Sequence, residues 1–193
     1  MSKTIIPVLL AALLLTAPAS AQLVTDLAIA PVVAHTDGLP GTQWVTDLTI
    51  FNPMVYEISV GVQFHLADRH NTPSDFYRSI VVVGARETVM IADLLPNLYG
   101  LDGNTKGWLL LIARPPFLPN PDGTMFHATV RIYNTGGADG TFGQTVSSLV
   151  PAANVGWSPS YITGVRNDDS YRSNLGLVAL STAIDVHYRI LAS

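Results

Sequence analysis

One segment limits the possible folds more than any other. In Tyr56, Ile58, Val60, Val62, Phe64 and Leu66 every second residue is apolar, and Glu57, Ser59, Gly61, Gln63 and His65 fall between them. A period of two sends one set of side chains into a core and the other toward water, the signature of a half-buried β-strand. Wound as a helix, the segment would scatter its apolar side chains around the whole circumference. Strand pairing is therefore the expected route to a core. Further strands are predicted at Leu23–Val33, Gln43–Asn52, Phe76–Val83, Glu87–Ile91, Trp108–Ala113, Met125–Asn134, Gln144–Val150, Tyr161–Val165, Ser173–Val178 and Ile184–Leu191.

The breaks between these segments carry turn chemistry. Asp37-Gly38, Asp102-Gly103, Asp122-Gly123 and Asp139-Gly140 each pair a residue tolerant of positive φ with one that has no Cβ, while Asn52-Pro53 and Asn120-Pro121 are turn starters. Short strands with this punctuation predict an antiparallel β-sandwich or barrel. One helical segment is expected, Ile91 to Tyr99, with Asp93 as its cap, Pro96 in its first turn and Gly100 at its end, serving as a crossover between sheets. Arg114 to Asp122 holds four prolines in nine residues, too restricted for a sheet interior, and is read as a stiff exposed hairpin connection.

The first 21 residues read as a cleavable signal peptide: Lys3 supplies the positive start, Ile5 to Leu15 the apolar run, and Ala19-Ser20-Ala21 the cleavage site. The run is too short to span a bilayer and is interrupted by Pro7 and Pro18. Cleavage would leave Gln22 first, and residues 22–193 suit a single domain with a substantial core. The expected address is secreted or periplasmic. With no Cys in the chain, stability outside the cell must come from packing and strand pairing alone.

Composition narrows the function classes. At 48% apolar and 12% charged, the chain has enough apolar surface to offset the entropy of ordering, unlike a disordered one. A formal charge of -4, with Lys3 and Lys106 the only lysines, gives no basic face for nucleic acid. An internal echo pairs Trp44-Val45-Thr46-Asp47-Leu48-Thr49-Ile50 with Tyr171-Arg172-Ser173-Asn174-Leu175-Gly176-Leu177 at an offset of 127. Each is followed by an alternating strand, so residues 151–193 are a candidate start of an incomplete second repeat.

At Tyr133-Asn134-Thr135-Gly136, Gly140-Thr141-Phe142-Gly143-Gln144 and Arg172-Ser173-Asn174-Leu175-Gly176-Leu177, the chain resembles a group of uncharacterised exported bacterial proteins with Ig-like β-sandwich domains. The resemblance covers most of residues 31 to 180. It implies a strand like Trp44 to Asn52 followed by a sandwich, a short helical turn like Leu94 to Gly100, and the Gly-rich segment just quoted. It brings no activity and no binding residue, because its motifs mark strands and turns. The fold expected on all these grounds is an all-β, Ig-like antiparallel β-sandwich with one short helical turn.

A search for chemistry singles out no catalytic, cofactor-binding or metal-binding residue. The histidines, His35, His65, His70, His127 and His187, include no H-x-H or H-E-x-x-H pair. His65 with Asp68 and His70 comes nearest and reads as a solvated turn. His127 and His187 read as polar-face residues of strands. No G-x-S-x-G occurs, and in Gly156-Trp157-Ser158-Pro159-Ser160 the proline lacks the N–H that an oxyanion hole needs after the serine. Asp168-Asp169 are adjacent in a loop, where the side chains diverge, a poor start for glycoside hydrolysis. Asn167 with Asp168 and Asp169, or Asp102 with Asn104, could offer oxygen ligands to calcium but fit no Ca²⁺-loop pattern. Trp44, Trp108, Trp157, Tyr77 and Tyr161 are the rings on which a sugar could stack, although tryptophan is usually mostly buried and packing in the core or between the sheets is the plainer assignment.

Two readings follow. The first is a non-catalytic exported module that works by surface contact in adhesion, envelope or extracellular assembly, with a protein or glycan at the cell envelope as partner and self-association through edge strands. The second is a carbohydrate-binding module, with calcium as a possible aid. An enzyme ranks behind both.

Overall fold

The computed structural model describes residues 24–72, 74–114, 123–136, 140–149, 177–180, 187 and 189. The expected signal peptide, the Pro-rich connection from Pro115 to Asp122 and the strands predicted at Tyr161–Val165 and Ile184–Leu191 lie outside these residues, apart from His187 and Arg189. So do Ser173 to Gly176 of the strand predicted up to Val178, and Leu177–Leu180 form no strand.

The described residues are mostly antiparallel β-sheet with one short helix. The elements are β1 (Leu27–Asp37), β2 (Gln43–Phe51), β3 (Ile58–Leu66), β4 (Tyr77–Val83), β5 (Thr88–Ile91), α1 (Leu94–Tyr99), β6 (Thr105–Arg114), β7 (His127–Thr135) and β8 (Gly143–Ser147). Hydrogen bonding orders them β4-β3-β6-β1-β2-β7-β8, with β5 on β2. The ladder has two halves hinged on β1. Leu27 to His35 pair with β6, and only Thr36 and Asp37 pair with β2. β5 belongs to the β2 half and β6 to the β3 half, so α1 is the passage between them.

The β1 change of partner has local causes. Its register against β6 shifts between Ala30 and Val33, which places Pro31, without an N–H to give a ladder, at the bulge. Beyond it, the Thr46 hydroxyl of β2 donates to the Ala34 carbonyl and accepts from the Ala34 N–H (2.9 and 2.8 Å), standing in for a ladder partner. Facing the bulge, Gly107 of β6 pairs with both Val33 and Leu66. A Cβ there would run into the His65 carbonyl oxygen and the Phe64 ring, so only glycine lets the three strands close up.

One core joins both halves. Ile58, Val60, Val62 and Phe64 of β3, Val81 and Val83 of β4 and Leu109 and Leu111 of β6 are buried in one cluster with Leu48 and Ile50 of β2 and Ala128 and Val130 of β7. The apolar set read in the β3 sequence is therefore its core face, but Gly61 and His65 of the opposite face are buried as well and Leu66 is only partly buried. Leu94 and Leu95 fix α1 to this core, and the Tyr99 hydroxyl donates to the Val62 carbonyl at 3.0 Å. Asn52 ties the halves together at one end. Its amide donates to the carbonyls of Tyr56, Val83 and Gly84, and its Oδ1 accepts from the Met54 N–H in an Asx-turn over Pro53.

Candidate functional site

Three features stand out from the frame: a polar cluster over β2, a ladder of rings on the β3 half, and the sheet edges.

The polar cluster gathers side chains from five places in the chain. His35 near the end of β1 and Asp47 in β2 are buried, and they meet Asp93, which precedes α1. His35 Nδ1 lies 2.9 Å from Asp93 Oδ1, and Gln43 Nε2 lies 2.8 Å from His35 Nε2. With the Gln43 amide donating, Nε2 accepts and Nδ1–H is left to donate to the carboxylate. Asp47 Oδ1 accepts the Asp93 backbone N–H at 2.9 Å and the Tyr133 hydroxyl at 3.2 Å. Burial, reinforced by the Asp47 charge, raises the Tyr133 phenol above its usual range, and the Arg131 guanidinium lies over its ring.

Asp93 was expected to cap α1 with its side chain. It occupies the cap position, but in the left-handed region (φ 40°), and makes no side-chain cap bond. The carboxylate turns to His35 instead. Both ring nitrogens of His35 are thus engaged, and the cluster latches the start of α1 onto β2. Sequence reasoning missed the latch. Its only trace is a set of polar residues on strands, Gln43, Asp47 and Tyr133, with nothing local to link them to His35 or Asp93.

The ring ladder crosses the outer face of the β3 half. Trp108 of β6 stacks on His65 of β3, with centroids 4.0 Å apart, and His65 stacks on Phe76 at 4.6 Å. The Arg78 guanidinium caps the row 4.2 Å above Phe76. Among the described residues, His65 Nε2 is buried without a hydrogen-bond partner. Burial, then the Arg78 charge, lowers its pKa below 6.5. A face of Trp108 is thus spent on His65, where a sugar-stacking platform would turn it to solvent. Trp44 is exposed on β2, away from the stack, Tyr77 lies 6.1 Å from both Phe64 and Tyr99, and Trp157 and Tyr161 lie outside the described residues.

The metal candidates separate in the same way. His65 sits in the ring stack, while Asp68 pairs with Lys106 at 2.7 Å. The Asn104 side chain bonds Thr36 and Asp37, pinning the end of β1 to the start of β6. Among the described residues no three His, Asp or Glu side chains group as a metal site would require. Asn167, Asp168, Asp169 and the Gly156–Ser160 segment lie outside them. Burial also lowers the pKa of His127, at the start of β7, and His187 is exposed and in no strand.

The edges remain. Among the described residues β4 pairs with β3 alone, β8 with β7 alone and β5 with β2 alone. β8 and β5 are short, and β8 is mostly exposed and polar. β4 is a seven-residue run, Tyr-Arg-Ser-Ile-Val-Val-Val, with Ile80 59% and Val82 52% exposed on its outer face. No helix among the described residues is long and apolar enough to cross a membrane.

No family model matches the chain. No curated protein matches it either. Among solved structures it is similar to the crystal structure of Thermotoga maritima 1070, at 9% identity and a TM-score of 0.47 over 65% of this chain and 93% of that one.

Proposed function

We propose that this chain is a non-catalytic, exported β-sandwich of Ig-like arrangement that acts by surface contact, as an adhesion, envelope or extracellular assembly module. One observation carries the reading: among the described residues β4 pairs on one side alone and presents exposed aliphatic side chains at that edge, which a chain working through an internal pocket has no use for. The latch supports it from the other side, since its histidine and carboxylates are spent on one another and on backbone. Export rests on the signal-like segment of residues 1–21, and the two-layer arrangement on the core shared by the β3 and β2 halves.

The test is saturable retention of the purified chain on the cell-envelope fraction and on immobilised copies of itself, with soluble polysaccharides as competitors. Retention indifferent to polysaccharide supports contact with protein. Retention competed away by polysaccharide replaces this reading with glycan binding. No saturable retention on either support overturns it.

A further inference from the structure

We propose that the β4 edge is a self-pairing surface: two copies of the chain join β4 to β4, antiparallel, about a two-fold axis at Ile80. The inference deepens the surface-contact reading and rests on it.

Edge strands are ordinarily blunted by brevity, proline, lysine or a bulge. β8 and β5 are short. β4 carries none of these devices, and its one charge, Arg78, lies back over the Phe76 ring. Its sequence has no Pro or Lys, and its register with β3 runs unbroken from Ile58↔Val83 to Phe64↔Tyr77. The chemistry it offers is a row of backbone donors and acceptors, whose natural partner is another extended strand.

Charge placement makes that strand a second copy. Pairing about Ile80 sets Ile80 opposite Ile80, Arg78 opposite Val82 and Phe76 opposite Gly84. The exposed Ile80 and Val82 of both copies then form one cross-strand apolar cluster. At the rim, a Cβ on Gly84 would meet the Glu87 carboxylate, which also accepts the Gly84 N–H at 3.1 Å. By the alternation of the strand, Glu87 therefore fills the side-chain place of Gly84 on the face that carries Arg78, Ile80 and Val82. Across the two-fold axis it faces the guanidinium that lies over Phe76. Among the described residues neither Arg78 nor Glu87 has an ion-pair partner within its own chain. Each copy thus supplies both charges and the pair forms twice. The two Arg78 side chains stand four positions apart in register, beyond a Debye length of about 8 Å at physiological salt. These exposed pairs set register more than strength.

Sedimentation velocity across a concentration series of the full chain, as recovered from the producing cell, tests this directly. The wild type is expected to dimerise reversibly. Ile80→Lys sets two ammonium groups face to face and should weaken the dimer at least about tenfold. Arg78→Glu should weaken it less, and Arg78→Glu with Glu87→Arg should restore it. Since the chain has no cysteine, Ile80→Cys should oxidise to a covalent dimer far more readily than the control Val55→Cys, although Val55 is the more exposed of the two (74% against 59%). That readout stands even if Ile80→Lys fails to fold. A monomer at every concentration, a dimer indifferent to Ile80→Lys, or equal cross-linking of the two cysteine variants overturns the proposal. A monomer that still binds the envelope fraction through an Ile80→Lys-sensitive contact overturns self-pairing and leaves surface contact standing. A monomer with no retention removes both.

Discussion

Replacing Asn52 by Ala should be among the most costly single changes in the β-sheet frame. Asn52 is fully buried and donates at 2.8, 3.0 and 2.9 Å to Tyr56, Val83 and Gly84, while its Oδ1 accepts the Met54 N–H at 2.8 Å. Truncation removes four bonds, each with a net worth of about 1 kcal/mol, and strands the Met54 N–H without its acceptor. The expected loss is about 3–5 kcal/mol. In urea, with a slope of about 2 kcal/mol/M, the midpoint should fall by about 2 M with the slope unchanged. Asn52→Asp separates a donated clamp from simple packing, because it keeps the shape but turns a carboxylate oxygen toward three carbonyls. Burial and those carbonyls raise the folded-state pKa of the new carboxyl above its unfolded value of about 3.9, so the folded state holds a proton that the unfolded state releases. Its penalty must then grow as pH rises from 5 to 7.5, whereas that of Asn52→Ala should stay flat. A midpoint shift below about 0.5 M for Asn52→Ala, or an Asn52→Asp penalty independent of pH, would refute the clamp.

Three further perturbations probe the other contacts. Gly107→Ala should cost about 2–4 kcal/mol in thermal unfolding, because its methyl group would strike the His65 carbonyl, while Gly103→Ala, which meets nothing within 4 Å, should be close to neutral. Asp47→Ala should cost about 2–4 kcal/mol by orphaning the Asp93 N–H and the Tyr133 hydroxyl, and the phenol should titrate closer to its ordinary value in ultraviolet difference spectra. His65 has its pKa depressed in the folded state, so its contribution to stability is fully present above pH 6.5 and is lost as pH falls through the folded value. His65→Phe should flatten part of the acid slope of the melting temperature, leaving the share owed to His127, whose pKa burial also lowers.

The parts of the fold legible in the sequence are those set by neighbours in the chain. Alternation from Tyr56 to Leu66 announces β3, and the helical turn expected over Ile91 to Tyr99 is found as the shorter α1 ended by Gly100, because a strand face and a glycine-ended turn are local patterns. Boundaries moved where distant groups intervene. β1 was expected to stop at Val33 but runs on to Asp37, since His35 is buried under Asp93 and Asn104 holds Thr36 and Asp37. β6 was expected to begin at Trp108 but starts at Thr105, because Gly107, which looks like a break, is required by the close passage of β3. The polar latch was illegible for the same reason: His35, Gln43, Asp47, Asp93 and Tyr133 meet only after β1, β2 and β7 have paired. The free edge was half legible. Apolar residues at Ile80 and Val82 are plain in the sequence, but that β4 ends the ladder of described strands is a fact of topology.

Hydrogen–deuterium exchange of the β4 amides at low and high protein concentration tests the central claim most directly. Surface contact through this edge predicts that the Tyr77–Val83 amides turned away from β3 exchange quickly in dilute solution and slow as the chain associates, while amides in the β3–β6 ladder stay protected throughout. Protection of those outward amides that does not change with concentration or with an added partner would contradict it.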